Sequence, residues 1–167
     1  SSLGLEMKKK DRYILCYFLG ENDEYLKTAE FLSDETNIPI KSIPTNMWGY
    51  ENCKGNIKVL GPIEWIDLIA NADFILTDSF HATALAIIFN VNFFSFKRFH
   101  DTKKGSQNSR IFHILTVTDL LDRIVAGYIS NQELEITANR WDNANSQISE
   151  YRNYSINWLK NALQGYI

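Results

Sequence analysis

Apolar residues fall along this chain in short blocks separated by polar ones, and the blocks alternate between two kinds. Tyr13–Leu19 (YILCYFL) is a continuous apolar run, the mark of a strand covered on both faces. Gly20-Glu21-Asn22-Asp23 then turns and offers a helix cap. Tyr25, Ala29, Phe31 and Leu32 recur at roughly helical spacing through about Glu35, and Asn37 ends that helix. Ile38–Ile43 reads as a second strand, with Pro39 nearer its edge than its middle. Pro44–Asn56 reads as a polar and aromatic loop carrying Trp48, Gly49 and Tyr50, and Ile57–Leu60 as a third short strand.

The alternation continues. Gly61-Pro62 opens a helix with Pro in the first turn, where its missing N–H costs little, and Ile63, Ile66, Ile69 and Ala70 supply an apolar face. Phe74–Thr77 is a fourth strand, followed at once by a helix from Ser79 to about Phe89; Asn92–Phe96 is a fifth. Lys97–Ser109 is a polar loop, Ser109–Leu115 a short helix, and Leu120–Ile124 a helical turn. Glu133–Trp141 is irregular, and Asn145–Leu163 is an amphipathic terminal helix through Ile148, Tyr151, Ile156, Leu159 and Leu163. Strands and helices in this order predict an α/β fold with a mostly parallel sheet and helices on both faces. The 167 residues suffice for one such domain, with no second boundary in view.

The net charge of −3 lacks the electrostatic footprint of a nucleic-acid binder. No stretch of about 18 apolar residues predicts a membrane span. Cys16 lies in an apolar strand and reads as a small buried hydrophobe; with Cys53 it makes no metal motif, and no metal or resident cofactor is expected. A reduced, cytoplasmic protein is expected, peripheral to the inner face of a cell membrane at most. The opening SSLGLEMKKKDR reads as the interior of a longer protein.

The densest candidate chemistry lies in Thr77-Asp78-Ser79-Phe80-His81, where a strand hands over to a helix. Ligands bind at such junctions in α/β folds, because free N–H groups and the helix dipole point into the crevice. His81 is the one histidine predicted at a crevice; His100 and His113 have no special placement. Asp78 and Ser79 are also ordinary helix-cap residues, and capping alone explains them. Lys97 and Arg98 follow the fifth strand at the crevice edge. Arg110 opens the next helix, where an arginine suits either a carboxylate or a phosphate. Trp48 and Tyr50 offer rings for a sugar face or cover for a core edge. The Asn-x-Ser match at Asn153 lies in a predicted helix and is set aside.

Gly61-Pro62-Ile63-Glu64-Trp65, Ala72-Asp73, Thr77-Asp78-Ser79-Phe80-His81, Phe93 and Asn108-Ser109-Arg110-Ile111, in this order, resemble the polysaccharide pyruvyl transferase family over roughly Tyr13–Arg123. The resemblance implies a Rossmann-like three-layer domain, the carboxyl-terminal half of a GT-B-type transferase whose amino-terminal half faces it. It also implies transfer of a pyruvyl group from phosphoenolpyruvate to two hydroxyls of a sugar, in a cell-surface polysaccharide or its precursor. His81 would then touch the donor phosphate or carry a proton, and Ser79, Asp78, Asn108, Arg110, Lys97 and Arg98 would contact substrate. Some relatives carry arginine at the position of Ser79.

Two other readings compete. A glycosyltransferase half would seat the diphosphate of a nucleotide-sugar in the same crevice. A non-catalytic docking domain would present apolar surface to a partner, with Leu5, Met7 and Trp48–Tyr50 as candidates.

Overall fold

The computed structural model describes residues 11–58, 61–98, 108–129 and 141–164. Five strands form one sheet in which every pairing is parallel. They are β1 (Ile14–Tyr17), β2 (Ile40–Ser42), β3 (Phe74–Thr77), β4 (Asn92–Phe96) and β5 (Ile124–Val125), in spatial order β2-β1-β3-β4-β5. Six helices are described: α1 (Asp23–Thr36), α2 (Met47–Asn52), α3 (Pro62–Ala70), α4 (Phe80–Ile88), α5 (Asn108–Val117) and α6 (Trp141–Gln164).

The pleat sends alternate residues of each strand to opposite faces, so the sheet has two cores. Ile14, Cys16, Phe74, Leu76, Phe94 and Phe96 face α1, where they meet Tyr25, Ala29 and Leu32. Leu15, Ile75 and Phe93 face the other way, toward Ile69 of α3, Ala82, Ala86 and Ile87 of α4, Ile111 and Leu115 of α5, and Ala144 of α6. This is a three-layer Rossmann-like α/β fold. Both faces being covered explains why β1 reads as an unbroken apolar run. Cys16 is buried, as its setting predicted.

Local signals set most helix ends. The Asn22 side chain caps α1 by accepting from Glu24 N, and Asn37 closes it at φ 52°, a left-handed conformation that asparagine tolerates better than most residues. Pro62 occupies the first turn of α3, as expected. β3 and β4 have the bounds that the sequence predicts.

Three elements differ from expectation. The loop Pro44–Asn56 contains α2, capped by Asn46, whose side chain accepts from Gly49 N. Ile57–Leu60 is not a strand in its described part: Ser42 and Asn56 form only an isolated bridge, and Val59 and Leu60 lie outside the described residues. The segment around Leu120–Ile124 contains a short 3-10 turn (Leu121–Arg123) and then β5, an edge strand of two residues. Most of Lys97–Ser109, including His100, most of Glu133–Trp141, and Leu5 and Met7 lie outside the described residues.

The inner end of α6 is fastened to the sheet. Ala144 is fully buried, and the guanidinium of Arg123, itself 1% exposed, lies 5.7 Å from the ring centres of both Phe93 and Trp141. Asn143 Nδ2 donates to Asp119 Oδ2 at 3.0 Å. From residue 149 to 164 every residue of α6 is exposed, including Tyr151, Tyr154, Trp158, Leu159 and Leu163. Among the described residues no helix is long and apolar enough to cross a membrane.

Candidate functional site

The strand order locates the crevice. From β1 the chain moves outward to β2, then returns to place β3 on the other side of β1. Loops leaving the carboxyl ends of β1 and β3 therefore diverge, and a gap opens between them. A cavity of about 750 Å3 lies there, lined by Tyr17 at the end of β1 and Leu19 after it, Ile43 and Thr45 after β2, Ser79, His81, Ala84 and Leu85 in α4 and its cap, and Gly61, Pro62 and Trp65 at the start of α3. Tyr17 and Trp65 meet edge to face at 5.4 Å.

A buried polar chain fixes the β3–α4 junction. Thr77 Oγ1 donates to Tyr17 O at 2.6 Å and accepts from Ser79 N at 3.0 Å. Thr83 Oγ1 donates to Ser79 O at 2.9 Å. That leaves Ser95 Oγ as the donor in the 2.7 Å contact between the Thr83 and Ser95 hydroxyls. Thr77, Ser79, Thr83 and Ser95 are all buried, so these bonds form away from water, where an unmet hydroxyl is costly. Ser79 caps α4, its Oγ accepting from Ala82 N at 3.5 Å. His81, in the first turn of α4, stays exposed at the cavity. The junction thus holds an imidazole on a rigid base beside a helix amino terminus, an arrangement suited to an anion or to proton transfer.

The other predicted site residues are distributed differently. Asp78 is fully buried, and its carboxylate accepts from Leu19 N at 2.7 Å and Gly20 N at 2.8 Å. Burial pushes its pKa up, against the opposing pull of those two amides and of Arg98. Arg98 is folded onto it, with Nε 3.4 Å from Asp78 Oδ2 and Nη2 donating to Asp78 O at 3.2 Å. Lys97 Nζ lies 5.1 Å from the ring centre of Phe112, and Arg110 stacks at 5.3 Å over Phe80. Asn108 is buried at the start of α5. Of the predicted set, Ser79 and His81 line the cavity.

Tyr17, Thr45 and Trp65 form much of the wall, and sequence reasoning assigned them no site role. Their shared signal is position: each lies at or just past a strand's carboxyl end or in the first turn of a helix entering the crevice. Trp48 and Tyr50 belong to α2 and do not line the cavity. A second cavity, of about 390 Å3, lies between α4, α5 and α6, with Phe80, Ile87, Ile114 and Ile148 in a mostly apolar wall that His113 and Arg152 also join. Among the described residues no group of His, Cys, Asp and Glu side chains is placed to hold a metal ion.

No curated protein and no solved structure matches the chain. A family model described as polysaccharide pyruvyl transferase matches residues 4–98. The match spans β1 to the end of β4, and so contains the cavity and the β3–α4 junction but not Asn108 or Arg110. Since that span is more than half of the 167 residues, the chain belongs to the polysaccharide pyruvyl transferase family.

Proposed function

We propose that the cavity at the β1/β3 gap receives phosphoenolpyruvate, and that the protein passes its pyruvyl group to two hydroxyls of a sugar in a cell-surface polysaccharide or its precursor. The observation that carries this reading is His81, exposed on a cavity of about 750 Å3 beside the amino terminus of α4. In the reaction the methylene carbon of the donor gains a proton. The neighbouring carbon forms two C–O bonds to the sugar and loses its bond to the phosphate oxygen. Of the two hydroxyl protons, one balances the new methyl group and the other leaves with phosphate.

The developing positive charge at the central carbon and the departing phosphate make different demands. His81 serves as the acid that delivers the proton or as the donor that holds the phosphate. General acid–base catalysis of this kind contributes about 10²–10⁴ in rate. Helix N–H groups at the α4 start supply anion contacts without ordering a long side chain. The Tyr17 and Trp65 rings give the cavity an apolar flank suited to the C–H face of a sugar.

A GT-B arrangement, with a second half closing over the crevice, accompanies this proposal. The exposed apolar side of α6 is surface that such a half would cover.

Phosphate release from phosphoenolpyruvate with candidate acceptor sugars tests the reading, using the full-length protein. Wild type turns over, and His81→Ala loses about 10²–10⁴ in rate while keeping its unfolding midpoint. A thermal shift produced by nucleotide-sugars and not by phosphoenolpyruvate would overturn it in favour of glycosyl transfer.

A further inference from the structure

Asp78 is a charged side chain with no exposed surface, and it does not cap the helix that follows it. Ser79 does that. The two carboxylate oxygens of Asp78 are divided instead between successive amides of the β1–α1 turn, Leu19 N on Oδ1 and Gly20 N on Oδ2. The turn is fitted closely to this group. A Cβ at Gly20 would lie 2.9 Å from Asp78 Oδ2 and 2.9 Å from Arg98 Cγ, so the backbone approaches nearer than any side chain permits. Arg98 packs onto Asp78 from the end of β4. On the opposite flank Thr45 Oγ1, after β2, donates to Phe18 O at 2.6 Å. The turn after β1 is thereby braced from its neighbours on both sides. Leu19 and Thr45, two members of that brace, line the cavity that His81 enters.

A charged acceptor holds an N–H more strongly than a neutral one, and only a carboxylate can accept both amides while also facing a guanidinium. Asparagine in its place would offer one acceptor and turn an NH2 group toward the second amide. We propose that Asp78 is a positioning residue for the donor site: it holds Leu19–Gly20 as a fixed wall of the cavity, with Arg98 completing the clamp. This rests on the donor reading above. Small displacements of such a wall matter, since misplacing a substrate by about 1 Å can cost about 10²-fold in rate.

Asp78→Asn and Gly20→Ala disturb the clamp from its two sides, and the second retains the carboxylate if the first fails to fold. Each is assayed well below its unfolding midpoint, alongside backbone NMR with added phosphoenolpyruvate. In wild type the ligand shifts the Leu19, Gly20 and His81 amides. In either folded variant kcat/KM for phosphoenolpyruvate falls about 10- to 100-fold, and hydrogen exchange at Leu19 and Gly20 accelerates. If phosphoenolpyruvate shifts His81 in wild type but either folded variant keeps wild-type kcat/KM, the positioning role is overturned and the donor reading stands. If phosphoenolpyruvate moves no resonance of wild type, the donor reading itself fails, and the positioning role fails with it.

Discussion

The β3–α4 junction and the outer half of α6 present polar and apolar groups in opposite states of completion. At the junction Thr77, Ser79, Thr83 and Ser95 are buried and hydrogen-bonded to one another or to nearby backbone, and Asp78 is met by two amides. In α6 beyond Ser149 the apolar side chains stay in water: Trp158 is 63% exposed and Leu163 55%. The first region holds its geometry from contacts within the chain. Beyond Tyr151, which meets the His113 ring at 6.2 Å, the second is a helix whose large apolar side chains are left in water, and helices gain most of their stability from cover. Contacts within the chain fix the geometry at the junction, whereas the long helix presents its apolar side chains outward.

Mutation can break that contrast where it is strongest. Asp78→Ala would leave two amides and the Arg98 guanidinium without their shared acceptor. It should lower unfolding free energy by about 3–5 kcal/mol, read from urea denaturation. Thr83→Val removes one hydroxyl and strands that of Ser95; about 1–3 kcal/mol should be lost in the same experiment. Leu159→Glu in the outer half of α6 should change stability by less than about 0.5 kcal/mol, because that position is already in water. A large loss there would mean that the two regions are not opposites.

Acid titration sharpens the comparison further. Burial raises the Asp78 pKa above its ordinary 3.8, so the folded state binds this proton more readily than the unfolded one. The contribution of this group to stability is therefore greatest below pH 3.8 and declines as pH rises through its folded midpoint. A carboxyl carbon chemical-shift titration should place that midpoint above 3.8. The stability difference between wild type and Asp78→Asn should drift in wild type's disfavour over the same window.

The sequence made much of the fold legible. β3 and β4 could be bounded because both faces of each are buried, which writes them as Phe-Ile-Leu-Thr and Asn-Phe-Phe-Ser-Phe between polar ends. Helix α2 was hidden because it has six residues and buries only Gly49, so no apolar period marks it. β5 has two residues, too few for any pattern. At the site, His81 and Ser79 were legible from a purely local strand-to-helix signal. The partners of Asp78 were not, because they lie 58 and 59 residues earlier in the chain and are backbone amides without a side-chain signature. Arg98 likewise read as a crevice cation, and only the parallel pairing of β3 and β4 brings it onto Asp78.

The seating of Arg123 between Phe93 and Trp141 gives α6 the mechanics of a cantilever. Its root is clamped at a β4 residue, while its free arm carries the large apolar side chains. The arm itself carries the Trp158 indole, 63% exposed, so the emission of this tryptophan should register whatever comes to rest there.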